Sequence, residues 1–258
     1  MFSVICVYND SESLNTHLLK GLKKQTSKFE EILIDNSTGK FSSSAEALNY
    51  GASLASGDYL MFIHQDVEIE YDYWLEEVHN VLDSLPNLGI AGVAGVVSEG
   101  ETTIDKYRNI IKHEIPPKEW GNKIFSPELV ETLDECLLII PKTVFNKLEF
   151  DDTTCNGWHL YGVDYCLSAH EMGFNVFVLP FSIYHCSQHK YSNFDIIFKL
   201  KHHPDGYYPI LHNVIKKHKD SFDIIHTTCG EWDTKKSIIF QRFNLTFNAC
   251  LNFIKRKL

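Results

Sequence analysis

The segment YLMFIHQDVE, at positions 59–68, is the most informative part of this chain. Five apolar residues are followed by polar side chains at alternate positions. Tyr59–Ile63 has the length and bulk of a buried strand. Because alternate side chains of an extended chain point to the same face, His64, Asp66 and Glu68 converge just beyond that strand. An imidazole and carboxylates placed there can hold a divalent metal with a phosphate behind it. The other interpretation is a strand that leaves the core and becomes polar at the surface.

Length and composition predict one large domain, or one domain with an appendage. The chain has 258 residues, of which 44% are hydrophobic and 13% aromatic, which is enough for a core and too many for a disordered chain. A formal net charge of -10 argues against a general nucleic-acid binder, which needs a basic surface. Seven dispersed Cys residues without a CxxC pair predict reduced thiols in a cytoplasmic protein. The sequence shows neither a signal-peptide pattern nor an apolar run of transmembrane length.

Strand and helix patterns alternate through the first hundred residues. Strands are predicted at Phe2–Tyr8, Glu31–Ile34, Tyr59–Ile63 and Gly89–Val97, and helices at Ser11–Leu22, Ser44–Ala55 and Tyr71–Leu85. This order predicts an α/β fold with a mostly parallel central sheet flanked by helices and right-handed crossovers. Glu99–Glu131 is polar and irregular, which predicts loops over one edge of the sheet. The pattern resumes with strands at Cys136–Ile140 and Asn175–Leu179 and a helix within Trp158–Met172.

Four segments in order give the chain a resemblance to the family 2-type GT-A glycosyltransferases, in particular their bacterial glycosyltransferase-like branch. The segments are VICVYN at 4–9, ILIDNST at 32–38, HQD at 64–66, and WHLYGVDYCL at 158–167, the last followed by Gly173-Phe174 and His185. The resemblance spans about Phe2 to His189. It implies a GT-A (Rossmann-like) central sheet over this part of the chain.

The same resemblance implies an inverting, metal-dependent hexosyltransferase-like enzyme of polysaccharide biosynthesis. Its donor would be a uridine- or thymidine-type nucleoside-diphosphate sugar, its cofactor manganese or magnesium, and its acceptor a glycan or a lipid-linked saccharide. A nucleotidyltransferase is disfavoured because no basic Gly-rich phosphate loop follows the first strand. A catalytically silent nucleotide-sugar-binding module acting in an assembly stays open, because His64 stands where the family often has an Asp.

Donor and metal residues are expected where strands end, since ligands of open α/β sheets bind at the carboxyl ends of strands. Asp66 is the expected metal ligand, and the resemblance implies His185 as another, with His189 a weaker substitute. Glu68 is either a support for the ligands or simply solvated, and Asp35 either contacts the base or merely forms an Asx turn. The expected nucleotide-binding set is Val7, Tyr8, Asn9, Asp35, His64 and Gln65.

Acceptor and catalytic residues are expected in the second half of the resemblance. Asp164 is the candidate general base, the carboxylate that removes the proton of the acceptor hydroxyl. Its place in the first turn of a predicted helix is also explained by the helix dipole. The expected acceptor-binding residues are Asp134, Glu135, Trp158 and His159, with Trp158 stacking on a sugar face.

The chain divides in this scheme into a catalytic domain, residues 1–190, and a helical C-terminal extension, residues 191–258. Lys235–Leu258 is predicted as a long helix with an apolar stripe and the basic end Lys255-Arg256-Lys257. The extension would dock an acceptor, a second subunit or a membrane surface. Such a stripe is more often packing or a subunit interface than a membrane anchor, so contact with the inner face of the cytoplasmic membrane ranks second.

Overall fold

The computed structural model describes residues 1–109, 111–113, 118–119, 122–186, 203 and 206–244. Sixteen strands lie in these ranges, and most of the later ones are short. In chain order they are β1 Phe2–Tyr8, β2 Phe29–Asp35, β3 Tyr59–Ile63, β4 Val67–Glu68, β5 Leu88–Gly92, β6 Ala94–Val96, β7 Tyr107–Asn109, β8 Ile111–His113, β9 Lys118–Glu119, β10 Glu128–Leu129, β11 Thr132–Leu133, β12 Leu137–Pro141, β13 Asn175–Val178, β14 Ile183–His185, β15 Ile224–Thr227 and β16 Gly230–Asp233.

The helices are short and connect or flank the strands. In chain order they are α1 Ser11–Thr16, α2 Leu18–Leu22, α3 Ser44–Leu54, α4 Trp74–Leu82, α5 Thr103–Lys106, α6 Lys142–Phe145, α7 Tyr161–Glu171 and α8 Tyr207–His218. Residues 238–244 are also helical. Within the described ranges, no helix combines the length and the apolar character that crossing a bilayer requires.

A seven-stranded sheet forms the centre of the protein, with strand order β10-β13-β5-β12-β3-β1-β2. Strands β1, β2 and β3 pair in parallel, and so do β5 and β13. Because β12 runs antiparallel to both β3 and β5, those two strands point the same way. Five of the seven strands therefore share one direction, with β10 and β12 opposed. This confirms the mostly parallel α/β sheet predicted from the sequence.

Strand β12 determines which polar strand ends meet. Its first residue pairs with the last residue of β3, so residues that precede β12 lie beside residues that follow β3. This places Asp134 and Glu135 next to His64, whose backbone N–H donates to the carbonyl of Cys136 at 3.0 Å. The sequence predicted a strand at Cys136–Ile140 but not its antiparallel direction.

Both faces of the sheet are buried, because helices cover each of them. Leu60 and Phe62 of β3 join one apolar cluster, and the alternate residues Met61 and Ile63 join the other. Helices α3, α7 and α8 contribute to the first cluster, and α1, α2 and α4 to the second. Continuously apolar strands of this kind are typical of parallel sheets with two covered faces.

The described part of the C-terminal extension packs into the first of these clusters. Leu211 of α8, Ile225 of β15 and Trp232 of β16 are all buried in it. Residues 206–244 therefore share the core of the sheet instead of forming one of their own, and the predicted boundary near residue 190 lies outside the described residues. A helix was predicted over Lys235–Leu258. The structure shows a turn and then a helix from Ile238, and residues 245–258 lie outside the described residues.

Some elements predicted as single pieces are divided. The helix predicted over Ser11–Leu22 is interrupted at His17 and forms α1 and α2. The strand predicted over Gly89–Val97 is interrupted at Val93, so that β5 and β6 belong to different sheets. Glu99–Glu131, predicted as irregular, contains α5 and the short strands β7 to β10. Hydrophobic spacing reports the period of a segment and is insensitive to a break of one residue.

Candidate functional site

Three side chains converge at the edge of the sheet where β3 ends. His64 and Asp66 follow β3, and His185 is the last residue of β14, opposite Val67 of β4. One nitrogen or oxygen from each of His64, Asp66 and His185 lies within 4.8 Å of the other two. His185 Nε2 is 3.3 Å from Asp66 Oδ1, and the Cys186 N–H donates to the Asp66 carbonyl at 2.8 Å. The fold therefore assembles a group of donors that could hold one metal ion.

The electrostatics of these three side chains favour the forms that bind metals. Burial acts to raise the pKa of Asp66, but its hydrogen bond with His185 and the charge of that ring lower the pKa to about 2. Burial, reinforced by the neighbouring His185, lowers the pKa of His64. Burial also acts to lower the pKa of His185, but the bond to Asp66 raises it overall. The group thus offers a carboxylate and a neutral imidazole, plus a second imidazole whose proton a cation would displace.

A cavity of about 350 Å³ is lined by two of these three side chains, His64 and Asp66. It lies where β1, β2 and β3 end, which is the expected place for a ligand of an open α/β sheet. Five of the six residues predicted for the nucleotide line it, together with the predicted metal ligand Asp66 and the predicted acceptor residue Trp158. The lining is Val7, Tyr8, Asn9, Asn36, His64, Gln65, Asp66 and Trp158.

Asp35, the remaining residue of the predicted nucleotide set, does not line this cavity, and its neighbour Asn36 does. The Asp35 carboxylate accepts the Ser37 N–H at 2.8 Å, which is the geometry of the Asx turn that the sequence left open. Asn36 is buried, and its amide exchanges hydrogen bonds with the backbone of Phe41 at 2.8 and 3.2 Å. The loop after β2 is therefore held rigid by both side chains.

Gln65 joins the ends of the first and third strands. Its side-chain oxygen accepts the N–H groups of Asn9 and Asp10, each at 3.0 Å, and its nitrogen donates to the Asn9 side chain at 2.9 Å. These three bonds fix the two loops that form the floor of the cavity. Gln65 thus positions the residues around it as well as lining the cavity.

The start of α7 lies beside the predicted metal ligands. Leu160, the residue before the helix, has a φ of 64°, a left-handed conformation that costs a β-carbon-bearing residue roughly 1 kcal/mol or more. The Tyr161 hydroxyl donates to the carbonyl of Glu135 at 3.2 Å and lies 3.2 Å from His64 Nε2. The Gly162 N–H donates to the Glu135 carboxylate at 2.9 Å. A Cβ at position 162 would lie 3.0 Å from Glu135 Cγ, so glycine makes room for this carboxylate.

Glu135 is the titratable carboxyl nearest to that helix start. Burial raises its pKa to about 8, although the Gly162 N–H acts in the opposite direction. The residue as a whole is half-buried. At pH 7 this carboxyl is largely protonated, and it becomes a proton acceptor as the pH approaches 8.

Asp164, the predicted base, occupies a different environment. It is 2% exposed, and its two oxygens bind His218 Nε2 at 2.9 Å and Lys217 Nζ at 2.8 Å. Lys217 also pairs with Asp151 at 3.0 Å, and His218 with Glu171 at 3.1 Å. This ionic network joins α7 to α8. Asp164 does not line the cavity beside Asp66, and its catalytic role stays a prediction.

The remaining predicted acceptor residues meet the C-terminal extension. Asp134 accepts the Cys136 N–H at 3.0 Å and the hydroxyl of Thr228, in the turn between β15 and β16, at 3.2 Å. The His159 ring lies 6.2 Å from that of Tyr207. Sequence reasoning missed the contributions of Tyr161 and Thr228. Nothing in the sequence around Thr228 indicates a functional role. Tyr161 lies in one of the four segments of the resemblance, but no role was assigned to it.

Two weaker candidates have different outcomes. Glu68 forms an ion pair with Lys20 at 2.8 Å and does not belong to the cluster of His64, Asp66 and His185. His189 lies outside the described residues.

Residues 3–201 match the model of a family described as "Glycosyltransferase like family". The chain belongs to this glycosyltransferase-like family. A relative from Fuscovulum blasticum, named "ATP synthase subunits region ORF 6", is 29% identical over 143 residues, which are 50% of this chain and 51% of the relative. The chain thus spans about half the length of this relative.

Solved glycosyltransferases share the fold of this family member. GalNAc-T7 with UDP, GalNAc and Mn2+ is 13% identical, with a TM-score of 0.57 over 85% of this chain and 47% of that one. The Pyrobaculum calidifontis mannosyltransferase PcManGT, with GDP-Man and Mn2+, is 11% identical, with a TM-score of 0.55 over 86% and 64%. S. aureus TarS 1-349 with UDP-GlcNAc is 14% identical, with a TM-score of 0.52 over 84% and 66%. At these identities the likeness shows the fold, which confirms the predicted GT-A class.

Proposed function

We propose that this chain transfers a sugar from a nucleoside-diphosphate sugar to a glycan or lipid-linked saccharide, with inversion and with the help of a divalent metal. The observation that carries the proposal is the cavity that runs from Tyr8 and Asn9 to the cluster of His64, Asp66 and His185. Its volume of about 350 Å³ falls within the ordinary range of small-molecule sites. The fold neighbours that contain UDP, GDP-Man or UDP-GlcNAc support the choice of ligand class.

The cavity has the chemistry of a nucleotide site. Tyr8 and Trp158 supply aromatic surface for a planar base or a ribose, and Asn9 and Asn36 supply amides at the strand ends. We assign a uridine- or thymidine-type base to this end. The diphosphate then lies toward Asp66, as the sequence predicted.

The donor set fits a divalent transition metal better than magnesium. Magnesium prefers oxygen ligands alone, whereas His64 and His185 add two imidazole nitrogens to the carboxylate of Asp66. Manganese accepts such a mixed set, and it is the ion present in two of the fold neighbours. When bound, the cation neutralises negative charge on the diphosphate leaving group.

We place proton transfer at Glu135. The acceptor hydroxyl oxygen forms a bond to the anomeric carbon, the bond from that carbon to the diphosphate breaks with its electron pair, and the hydroxyl proton passes to the Glu135 carboxylate. A single displacement of this kind inverts the anomeric centre. The Gly162 N–H and the Tyr161 hydroxyl hold Glu135 in position.

The alternative function is a catalytically silent nucleotide-sugar-binding module that acts in an assembly. It is favoured by the burial of Asp164 in an ionic network and by His64 at the place of a family carboxylate. Such a module would retain the cavity but lack a working base.

Release of nucleoside diphosphate separates the two functions. The full chain is incubated with UDP-, TDP- and GDP-sugars, with manganese or with a chelator, and the freed diphosphate is measured. The enzyme predicts manganese-dependent release that Glu135→Gln abolishes and that Glu149→Gln, a change at an exposed glutamate, leaves intact. Manganese-dependent binding without release from any donor, alone or with saccharide acceptors, would favour the silent module.

A further inference from the structure

A groove between α8 and the helix at 238–244 is lined by apolar and basic side chains. Its volume is about 390 Å³. Ile215 and Ile238 contribute apolar surface to it. His212 and Lys216, four residues apart on one face of α8, also line it, as does Lys219, the residue that follows the helix. We name the exposed part of this region the lysine-rimmed surface; it consists of His212, Lys216, Lys219, Ile239, Phe240 and Phe243.

The charge of the lysine-rimmed surface is not neutralised locally. Within the described residues, Lys216 and Lys219 have no carboxylate within ion-pair distance. The acidic side chains on the adjoining elements, Asp223 and Asp233, pair with Lys235 at 2.6 Å and Lys236 at 2.7 Å. Asp220, which follows Lys219 in sequence, does not line the groove. This basic surface therefore stands out on a chain whose net charge is -10.

The helix at 238–244 presents apolar side chains to solvent in a fixed orientation. Ile238 packs against the core, and the Gln241 side chain accepts the Asp233 N–H at 2.9 Å and donates to the Asp233 carbonyl at 2.9 Å. These contacts hold one side of the helix against the domain. The other side exposes Ile239 by 78% and Phe240 by 55%, values that mark an interaction surface when such residues cluster.

We infer that the lysine-rimmed surface docks on an anionic lipid bilayer. Large apolar side chains beside lysines that have no ion-pair partner in the described part of the chain match the chemistry of an interfacial helix. The apolar side chains of such a helix enter the acyl boundary while its cations meet anionic headgroups. A second copy of this chain fits less well. A two-fold contact through this surface would place Lys216 and Lys219 close to the same lysines of the other copy. Free phosphate fits less well too, because it would leave Ile239 and Phe240 in water.

This contact brings the protein to the bilayer without crossing it. The residues of the lysine-rimmed surface differ from those that line the cavity beside Asp66, so docking does not depend on the proposed sugar transfer.

The test is flotation of the full chain with vesicles of phosphatidylcholine, with and without phosphatidylglycerol. We expect binding to the anionic vesicles that falls at high salt, and much weaker binding to phosphatidylcholine alone. Lys216→Gln with Lys219→Gln should lower the anionic partition coefficient about tenfold or more. Ile239→Ser with Phe240→Ser should abolish it. Lys24→Gln with Lys28→Gln, the same charge change at exposed positions on another part of the chain, should have little effect.

Thermal unfolding and binding of UDP with manganese check that each variant is folded. Equal flotation of the Lys216/Lys219 and Lys24/Lys28 double variants would overturn the inference, and so would a wild-type protein that does not float with anionic vesicles. So would sedimentation showing a wild-type dimer that Ile239→Ser with Phe240→Ser converts to a monomer, because the surface would then join two copies. Inorganic phosphate that displaces the protein from vesicles at constant ionic strength would point to a phosphate site instead.

Discussion

Replacing Asp164 by asparagine separates a structural carboxylate from a catalytic one. In the structure this side chain is 2% exposed and bridges His218 and Lys217, so Asp164→Asn removes the negative charge between two basic groups while keeping the shape. We expect a loss of stability with donor turnover largely retained. If Asp164 were the base that the sequence predicted, the same change would abolish transfer and leave donor binding nearly intact.

The magnitude follows from the partners that remain. Removing one member of a buried ion pair costs roughly 3–5 kcal/mol. Lys217 is 29% exposed and keeps Asp151, and His218 keeps Glu171, so the cost should fall near or below the lower limit. We therefore expect about 2–3 kcal/mol, or a decrease in Tm of roughly 5–10 °C for a chain of this size.

Denaturant unfolding and calorimetry measure the stability of Asp164→Asn, and release of nucleoside diphosphate measures turnover at a temperature where the variant is folded. Asp152→Asn, at the exposed neighbour of Asp151, is the matched control and should change neither quantity. Turnover reduced more than about a hundredfold, with unchanged stability, would show that Asp164 is the base and that Glu135 is not.

Two further substitutions test the proposed proton acceptor and the nucleotide cavity. Glu135→Gln should lower turnover roughly 10²–10⁴-fold with nucleotide affinity retained, which rate and calorimetric measurements would show; equal loss of affinity would contradict a role in proton transfer. The pKa of Glu135 is raised from 4.5 to about 8, so between these pH values the carboxyl is protonated in the folded state and ionised in the unfolded state. Wild-type stability relative to Glu135→Gln should therefore fall as the pH rises between about 5 and about 8 and then level off, and a flat difference would contradict the raised pKa. Trp158→Ala should weaken UDP binding about tenfold or more through lost stacking, whereas Tyr73→Ala, at an exposed aromatic residue, should not; equal effects would remove Trp158 from the nucleotide site.

The parts of the fold that follow local patterns were predictable from the sequence. The apolar runs that became β1, β2 and β3 each end in polar residues, and parallel pairing brings those ends together at one edge. Tyr8, Asn9, His64 and Gln65 therefore meet at the cavity as expected. Asp35 shows the limit of this reasoning. Its carboxylate forms an Asx turn, and the next residue, Asn36, lines the cavity in its place.

The acceptor side depends on pairings that no local pattern contains. Glu135 lies beside the end of β3 only because β12 inserts antiparallel between β3 and β5. Asp164 is enclosed by Lys217 and His218, more than fifty residues later in the chain. An aspartate in the first turn of a helix can be a catalytic base or a member of a buried ion pair. For Asp164, only the tertiary partners distinguish the two roles.

Nucleotide binding to the donor cavity is tested most directly by calorimetric titration of the full chain with UDP, in manganese and in a chelator. Because Asp66 lines the cavity and belongs to the cluster with His64 and His185, we expect tight binding in manganese that is lost with the chelator and with Asp66→Asn. Asp72→Asn, at an exposed aspartate, should bind as the wild type does. Equal UDP affinity with manganese, with the chelator and in Asp66→Asn would contradict a metal-assisted nucleotide site at the end of β3.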